Sequence, residues 1–431
     1  MILGKPAAFF IFLMATTSVA QQNDVTKLLQ ESAGLIHAGK FRDAELLLQR
    51  SIILAPDNSD GHNLLGIVFD QVGKLAQAEQ EYRTAIHLNP KALSPRANLG
   101  ILLAKSKRPA EAVQVFESVL KLDPNHPQTI INLGLLYASI QKFTEAVSLL
   151  KRAADMQPDS ADIKLNLGIA LLKTDQPDDA EKNLIDVMLL APANAEPVYY
   201  RGLIAFDRNQ DESAKVFFEK AIELNPKHVS ANFMLGELFA RHQLYAQAKA
   251  LYEKALELDA TKPVHHIRLG GMYIYTSDFD SAFRVFQRAA ERFPKVPEIQ
   301  YFLALSARGK GDGSVAIEAV KRSLAIKESA DSDALLGAIL SDRTQAAEAE
   351  KYLRKAISLN SEHFNANHDL GRLLVRQSKF AEALPLLQKA SGLMPDNPDV
   401  HYELFLAYSR LKQKADADRE LGIFKQLSGK N

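Results

Sequence analysis

Residues 129–140, TIINLGLLYASI, form an apolar stretch with helical spacing, and they contain one internal asparagine, Asn132, two residues before Gly134. The Asn-Leu-Gly triplet recurs in ANLG at residues 97–100 and in LNLG at residues 165–168. The three asparagines, Asn98, Asn132 and Asn166, are therefore 34 residues apart. A fixed period of this length indicates tandem repeats, each of which is one helical supersecondary unit.

A 34-residue frame fits the chain as twelve units, which start near residues 25, 59, 93, 127, 161, 195, 229, 263, 297, 330, 364 and 398. Position 20 is alanine in every unit, position 8 is glycine in nine units, and position 24 is large and apolar or aromatic. Small residues opposite a bulky one suit two helices that cross closely, and a frequent proline at position 32 ends the second helix. One hairpin cannot bury its apolar face alone, so the sequence predicts stacked helical hairpins.

Glycine at position 8, alanine at 20, alanine or serine at 27 and proline at 32 resemble the tetratricopeptide repeat family. This resemblance covers residues 25–431, although the family's tryptophan at position 4 is absent because the chain has no tryptophan. It implies an all-α, right-handed superhelical solenoid over residues 21–431. In that fold the first helices line the concave face and the second helices form the convex face.

Composition excludes several classes of function. Lysine and arginine together number 52, as do aspartate and glutamate, so the net charge is near zero and we expect no nucleic-acid partner. The absence of cysteine excludes disulfides, thiol catalysis and thiolate metal sites.

The N-terminus has the layout of a secretory signal peptide. Residues 1–20 contain Lys5, then an unbroken apolar run over residues 7–15, and then Ser18 and Ala20 placed for cleavage before Gln21. An uncleaved N-terminal anchor is the alternative. No later segment approaches the roughly 20 apolar residues of a membrane span. We therefore expect an exported protein, periplasmic or extracellular, whose mature chain does not cross a membrane.

No catalytic constellation is evident. The stretch GKGDGS at residues 309–314 resembles a phosphate loop only loosely, because no strand precedes it, and an ordinary turn is favoured. His265 and His266 are adjacent and so lack the i, i+4 spacing of helical metal sites. We expect no enzyme activity, no catalytic or metal-binding residue and no cofactor, and a hydrolase site hidden between repeats is the alternative.

One stripe of each first helix, at positions 2, 6, 9 and 13, lines the concave groove that the family resemblance implies. Units 3 to 5 place asparagine at position 6 and an aliphatic residue, Ile101, Leu135 or Ile169, at position 9. Asparagine both donates and accepts hydrogen bonds, so it can bond to a peptide group of a ligand whatever the ligand's side chain. The alternative is that these asparagines cap or bridge neighbouring repeats.

Units 6 to 9 carry aromatic residues and arginines at or near the groove positions. Such combinations are typical of interface anchors, whereas packing between units is the alternative. The candidate partner-binding residues here are Tyr199, Tyr200, Phe206, Phe233, Arg241 and Arg268.

The sequence favours a non-enzymatic protein-binding scaffold that holds an extended polypeptide or a partner protein in the concave groove, outside the cytoplasm. The alternative function is a subunit of an envelope polysaccharide export or surface-assembly machine, with a groove that binds glycan.

Overall fold

The structure is a computed structural model that describes the backbone of residues 7–429 and the side chains of residues 21–429. These residues form 24 helices and no strand. The first helices of the hairpins are α1 (Ala7–His37), α3 (Ser59–Gln71), α5 (Leu93–Lys105), α7 (Pro127–Ser139), α9 (Ala161–Lys173), α11 (Ala195–Asp207), α13 (Val229–Arg241), α15 (Pro263–Tyr275), α17 (Pro297–Gly309), α19 (Ala330–Asp342), α21 (Phe364–Arg376) and α23 (Pro398–Arg410). The second helices are α2 (Phe41–Leu54), α4 (Leu75–Leu88), α6 (Pro109–Leu122), α8 (Phe143–Met156), α10 (Pro177–Leu190), α12 (Asp211–Leu224), α14 (Tyr245–Leu258), α16 (Phe279–Arg292), α18 (Gly313–Ile326), α20 (Ala346–Leu359), α22 (Phe380–Leu393) and α24 (Lys414–Ser428).

The prediction of an all-α helical solenoid is confirmed. The contacts between helices divide the chain into two compact units, Met1–Leu224 and Asn225–Asn431, where the sequence indicates a single array. Within each unit, most first helices contact the first helix of the next hairpin, whereas second helices make no comparable contact with one another in the described part of the chain. The hairpins of each unit therefore converge on their first-helix side.

The repeating glycines permit the two helices of a hairpin to cross closely. A Cβ atom added at Gly100 would lie 2.5 Å from Cε1 of Phe116, and one added at Gly66 would lie 2.6 Å from Cε1 of Tyr82. Both rings are almost completely buried, as is Ala112 on the second helix. Glycine at position 8 thus makes room for the bulky residue at position 24.

The turn inside every hairpin has a residue with positive φ at frame position 15. In the third hairpin this residue is Lys107, and the next amide, of Arg108, donates to the carbonyl of Leu103 at 2.9 Å, which is the Schellman pattern at a helix C-terminus. Three turns use glycine, and nine use other residues, at a cost of about 1 kcal/mol each. The nine are Lys107, Gln141, Asp175, Asn209, Gln243, Ser277, Thr344, Ser378 and Lys412.

Polar residues at position 4 connect several hairpins to the loop that precedes them. In the second hairpin, Nε2 of His62 lies 2.9 Å from the carbonyl of Pro56, and its Nδ1 lies 2.6 Å from Glu81. His401 repeats both contacts in the last hairpin, at 2.8 Å and 2.6 Å. Asn367 makes a similar contact, because its Nδ2 donates to the carbonyl of Ser361 at 3.1 Å. Histidine or asparagine therefore holds these inter-hairpin loops at the position where the family has tryptophan.

The predicted signal peptide lies largely beyond what the structure describes. Residues 1–6 are outside the described residues, and residues 7–20 are described only as backbone of α1. None of the described helices combines the length and apolar content that a membrane crossing requires.

Candidate functional site

The predicted asparagines lie on α5, α7 and α9, and all three side chains are half-buried. Nδ2 of Asn98 donates to Oδ1 of Asn63 at 3.0 Å and so bridges α5 to α3. Nδ2 of Asn166 donates to the carbonyl of Asp162, one turn earlier, at 2.8 Å. In the free protein the amide nitrogens of two of the three asparagines therefore already donate to groups of the solenoid itself.

Asn132 differs from the other two because its amide nitrogen lacks a partner. Its Oδ1 accepts from Nε2 of Gln128 at 3.1 Å, whereas its Nδ2 is buried and makes no hydrogen bond. A buried donor without an acceptor costs about 1–3 kcal/mol. A peptide carbonyl of a ligand would relieve that cost once rotation of the Asn132 side chain exposes Nδ2.

The three aliphatic residues at position 9 lie beside these asparagines. Ile101, Leu135 and Ile169 are each half-buried, and Ile101 and Leu135 also pack against the core of the first unit. They offer a narrow apolar strip along α5, α7 and α9.

The aromatic side chains of α11 pack within their own hairpin. The ring centroids of Tyr199 and Phe206 lie 6.1 Å and 6.4 Å from that of Phe218, which is fully buried on α12. Tyr200 lies 5.2 Å from Tyr199, and burial, aided by the nearby Glu196 charge, raises the pKa of the Tyr200 hydroxyl. Core packing, the alternative given above, would also produce these contacts.

The candidate residues of the second unit have separate surroundings. Phe233 lies 5.7 Å from Tyr252 and 5.1 Å from His265, so its ring joins α13 to α14 and α15. Arg268 is exposed, and its Nε donates to Glu237 at 2.8 Å, which links α15 to α13. Arg241 is exposed at the last residue of α13.

A cavity of about 220 Å³ opens on the first-helix side of α17, α19 and α21, in the second unit. Its wall contains one aromatic residue and six charged or titratable residues that the candidate set did not include. They are Tyr301, Arg308, Asp331, His363, His368, Asp369 and Arg372.

Most of the polar groups in this wall already have partners. Nε of Arg308 donates to Asp342 at 3.0 Å, and Nε2 of His363 lies 3.0 Å from Asp331. The guanidinium of Arg372 donates to Asp369 at 2.8 Å. The wall is therefore rich in hydrogen-bonding groups with little net charge.

Two buried nitrogens in the cavity wall have no partner, namely Nε of Arg372 and Nε2 of His368. Burial lowers the pKa of His368, and so does the nearby Arg372, while the Asp369 and Asp399 charges oppose them. Burial therefore favours the neutral form of His368 at pH 7, and its Nε2 makes no hydrogen bond within the described residues.

The sequence contained the signal for this cavity. Several of the cavity residues occupy the same stripe of the first helix, positions 2, 6, 9 and 13, that contains Asn98 in unit 3. In unit 10 this stripe includes Asp331, and in unit 11 it includes Asn365, Asp369 and Arg372. Among the described residues, no three histidine, aspartate or glutamate side chains are arranged to hold a metal ion.

Sequence models of known families support the repeat assignment. One model described as tetratricopeptide repeat matches residues 35–92, 64–127, 199–263 and 272–333, which together make up half of the chain. Two further tetratricopeptide repeat models match residues 141–200 and 374–422, and residues 334–369. No curated protein matches the chain.

Several solved structures are similar over most of the chain. Yeast Tom70 is 18% identical, with 92% of this chain and 97% of that chain covered and a TM-score of 0.39. The APC/C hetero-tetramer Cut9–Hcn1 is 15% identical, with coverage of 87% and 95% and a TM-score of 0.43. A human IFIT1 dimer with PPP-AAAA is 18% identical, with coverage of 84% and 89% and a TM-score of 0.40.

Proposed function

This chain belongs to the tetratricopeptide repeat family, whose arrays are protein-interaction scaffolds, and we propose that it holds an extended polypeptide segment along its first helices. The segment lies across α5, α7 and α9 in the first unit. The scaffold binds its partner without catalysis and acts outside the cytoplasm.

The observation that carries this proposal is the free amide nitrogen of Asn132. It is a buried donor without an acceptor, and it lies between two asparagines at the same helix position. Packed helices are about 8–10 Å apart, and an extended chain rises about 3.3 Å per residue. One asparagine would therefore meet roughly every third residue of the ligand, and its amide would bond the backbone whatever the side chain.

A triple substitution, Asn98→Ala with Asn132→Ala and Asn166→Ala, tests the proposal once a partner has been captured with the tagged chain. Each lost hydrogen bond is worth about 0.5–1.5 kcal/mol, so the affinity for the partner should fall at least tenfold. The matched control replaces exposed polar residues on the second helices, by Gln80→Ala, Gln114→Ala and Ser148→Ala, and should bind like the parent. Unchanged affinity of a folded triple variant would refute the asparagine contact.

The single change Asn132→Ala protects this test against a folding defect. It removes a donor that has no partner, together with one exposed hydrogen bond from Gln128, so the free energy of unfolding should change little, while partner affinity falls. Loss of stability together with unchanged affinity would assign Asn132 to the fold alone.

Export is supported by the layout of residues 1–20, with an apolar run followed by small residues before Gln21. N-terminal sequencing of the protein from its native host should give a chain that begins at Gln21. Recovery of a chain that retains Met1 would contradict cleavage.

Glycan binding, as a subunit of an envelope polysaccharide export or surface-assembly machine, is the second candidate, and the 220 Å³ cavity favours it. Tyr301 lies beside paired acidic and basic groups and beside the free nitrogens of His368 and Arg372, and sugar hydroxyls could bond to such groups. A glycan array is the direct measurement. Binding that is lost on Tyr301→Ala would support the glycan, and an empty array beside a captured peptide would reject it.

A further inference from the structure

The second helix of the eighth hairpin, α16, carries a row of three arginines. Arg284, Arg288 and Arg292 are each separated by four residues, so they lie about 6 Å apart along one side of the helix. All three are exposed. Arg284 donates a hydrogen bond to the hydroxyl of Ser281 at 2.9 Å, and Arg292 makes a cation–π contact with Phe293 at 5.9 Å. In the described chain, no carboxylate forms an ion pair with any member of this arginine row.

Comparison of the twelve hairpins shows that this row is unusual. Frame position 30, where Arg292 lies, is leucine, isoleucine or methionine in every other unit. These eleven residues are Leu54, Leu88, Leu122, Met156, Leu190, Leu224, Leu258, Ile326, Leu359, Leu393 and Leu427. No other unit carries basic residues at all three positions of the row. The fold therefore does not require arginine here.

The arginine row forms one wall of a groove on the second-helix side of the second unit. The groove has a volume of about 380 Å³ and lies between α14 and α16, with α15 beneath it. Leu256 and Ala260 belong to the α14 side, and Val285 lies among the arginines on α16. The groove thus combines an apolar lining with a cationic wall.

Two acidic groups near the groove, Glu253 and Asp278, already have hydrogen-bond donors. Glu253 accepts from the hydroxyl of Tyr273 at 2.6 Å, and Asp278 accepts from the backbone of Ser281 at 3.1 Å as the cap of α16. Burial lowers the pKa of His266, and the Arg292 charge lowers it further, so His266 adds no positive charge at pH 7. The three guanidinium groups thus remain available to an external anion.

We propose that this groove binds an acidic peptide segment of a partner protein, with carboxylates toward the arginine row and an apolar side chain against Leu256 and Val285. Carboxylates on alternate residues of an extended segment lie about 6.6 Å apart, close to the spacing of the arginines. Arginine pairs well with carboxylate because its planar fork matches the two oxygens. The apolar lining favours a peptide over a nucleic-acid backbone, which would present sugar and phosphate to Leu256 and Val285.

This inference goes beyond the proposed function because it concerns the opposite side of the hairpins. A first-helix groove and a second-helix groove would let one scaffold hold two segments at once. Neither site depends on the residues of the other.

The experiment measures the affinity of the full chain for a fluorescein-labelled peptide that alternates glutamate with leucine or alanine. The parent should bind this probe more tightly than the same peptide with glutamine in place of glutamate, and added salt should weaken the binding. Equal binding of the two probes would overturn the proposal.

Substitution of the arginine row locates the site. The triple variant Arg284→Gln, Arg288→Gln and Arg292→Gln should bind the acidic probe about tenfold more weakly. The charge-matched control, Arg42→Gln with Arg50→Gln and Lys321→Gln, removes three exposed bases elsewhere and should bind within about twofold of the parent. An equal loss in the two variants would reduce the effect to net charge and overturn the proposal.

Arg292→Leu keeps the test decisive if the triple variant misfolds, because it restores the residue type of the other hairpins. It should melt no lower than the parent and bind the acidic probe more weakly. Unchanged affinity in this folded variant would refute a contact with Arg292. Oligothymidylate and inorganic phosphate are tested in the same assay. If either binds more tightly than the peptide, with the same dependence on the three arginines, the groove is a phosphate site and the proposal is overturned.

Discussion

Two adjacent glycines in α15 give a test of the helix crossing, because alanine should have opposite effects at the two positions. A Cβ atom at Gly270 would lie 2.3 Å from Cζ and 2.4 Å from Cε2 of Phe286. At Gly271 a Cβ atom would meet nothing within 4 Å. Both residues are inside the same helix, so the change in helix propensity is the same.

The magnitudes follow from these distances. Phe286 is fully buried and stacks on Phe302 at 5.4 Å, so its ring cannot withdraw by the 1 Å or so that a normal contact needs. Overpacking of this kind costs about 1–3 kcal/mol, and replacing glycine in a helix returns about 1 kcal/mol. We expect Gly270→Ala to lower the free energy of unfolding by up to about 2 kcal/mol and Gly271→Ala to raise it by about 0.5–1 kcal/mol.

Urea unfolding followed by circular dichroism compares the midpoints of the two variants with that of the parent. Because repeat arrays need not unfold in two states, hydrogen exchange of the α15 and α16 amides gives the local readout. Faster exchange there in Gly270→Ala alone is the expected result. A Gly270→Ala protein as stable as the Gly271→Ala protein would refute the close crossing.

Three further changes test individual side chains. Asp333 is fully buried, and its pKa is raised because burial outweighs the Lys355 charge, so its ionised form destabilises the fold. Asp333→Asn should raise the melting temperature at pH 7, and this gain should shrink as the pH falls and the parent carboxyl becomes protonated. The pKa of His368 is lowered by burial, so its contribution to stability is complete above its ordinary pKa of about 6.5 and is lost as the pH falls below that value towards the lower pKa of the folded state. A His368→Gln variant should therefore lose less melting temperature between pH 7.5 and pH 5.5 than the parent, and equal losses would contradict the burial argument. Pro385 lies in the interior of α22 at an exposed position. Pro385→Ala should therefore stabilise the chain by up to about 3 kcal/mol. A lower urea midpoint than that of the parent would show that the fold needs the proline.

The fold followed from the sequence because its signals repeat. Alanine at position 20 and glycine at position 8 mark where two helices touch, and that requirement is local to each hairpin. The left-handed turn residue at position 15 had no such signal. Lysine, glutamine or threonine fills it in many units, and the Schellman hydrogen bonds, rather than a glycine, hold the conformation.

The site was harder to predict because a helical stripe gives the direction of a side chain but not its neighbours. Phe206 and Phe233 lie at or near groove positions, yet their rings contact Phe218 and Tyr252 of the core. Which residues meet across hairpins depends on packing between helices that are distant in sequence. The sequence positions of the charged cavity residues and of the arginine row are regular, but the cavity and the groove that they line became visible only when the hairpins were stacked.

The most direct test of the central claim is photo-cross-linking from the first-helix stripe. Benzoylphenylalanine in place of Ser94 and of Asp162, both exposed at position 2, should cross-link to one polypeptide segment. The two attachment points should be about five or six residues apart, because two helix spacings of 8–10 Å separate the probes and an extended chain rises about 3.3 Å per residue. The same probe in place of Gln80 or Gln114, on the second helices, should not reach that segment. Cross-links from the second helices instead, or attachment points on unrelated parts of the partner, would contradict a polypeptide extended along α5, α7 and α9.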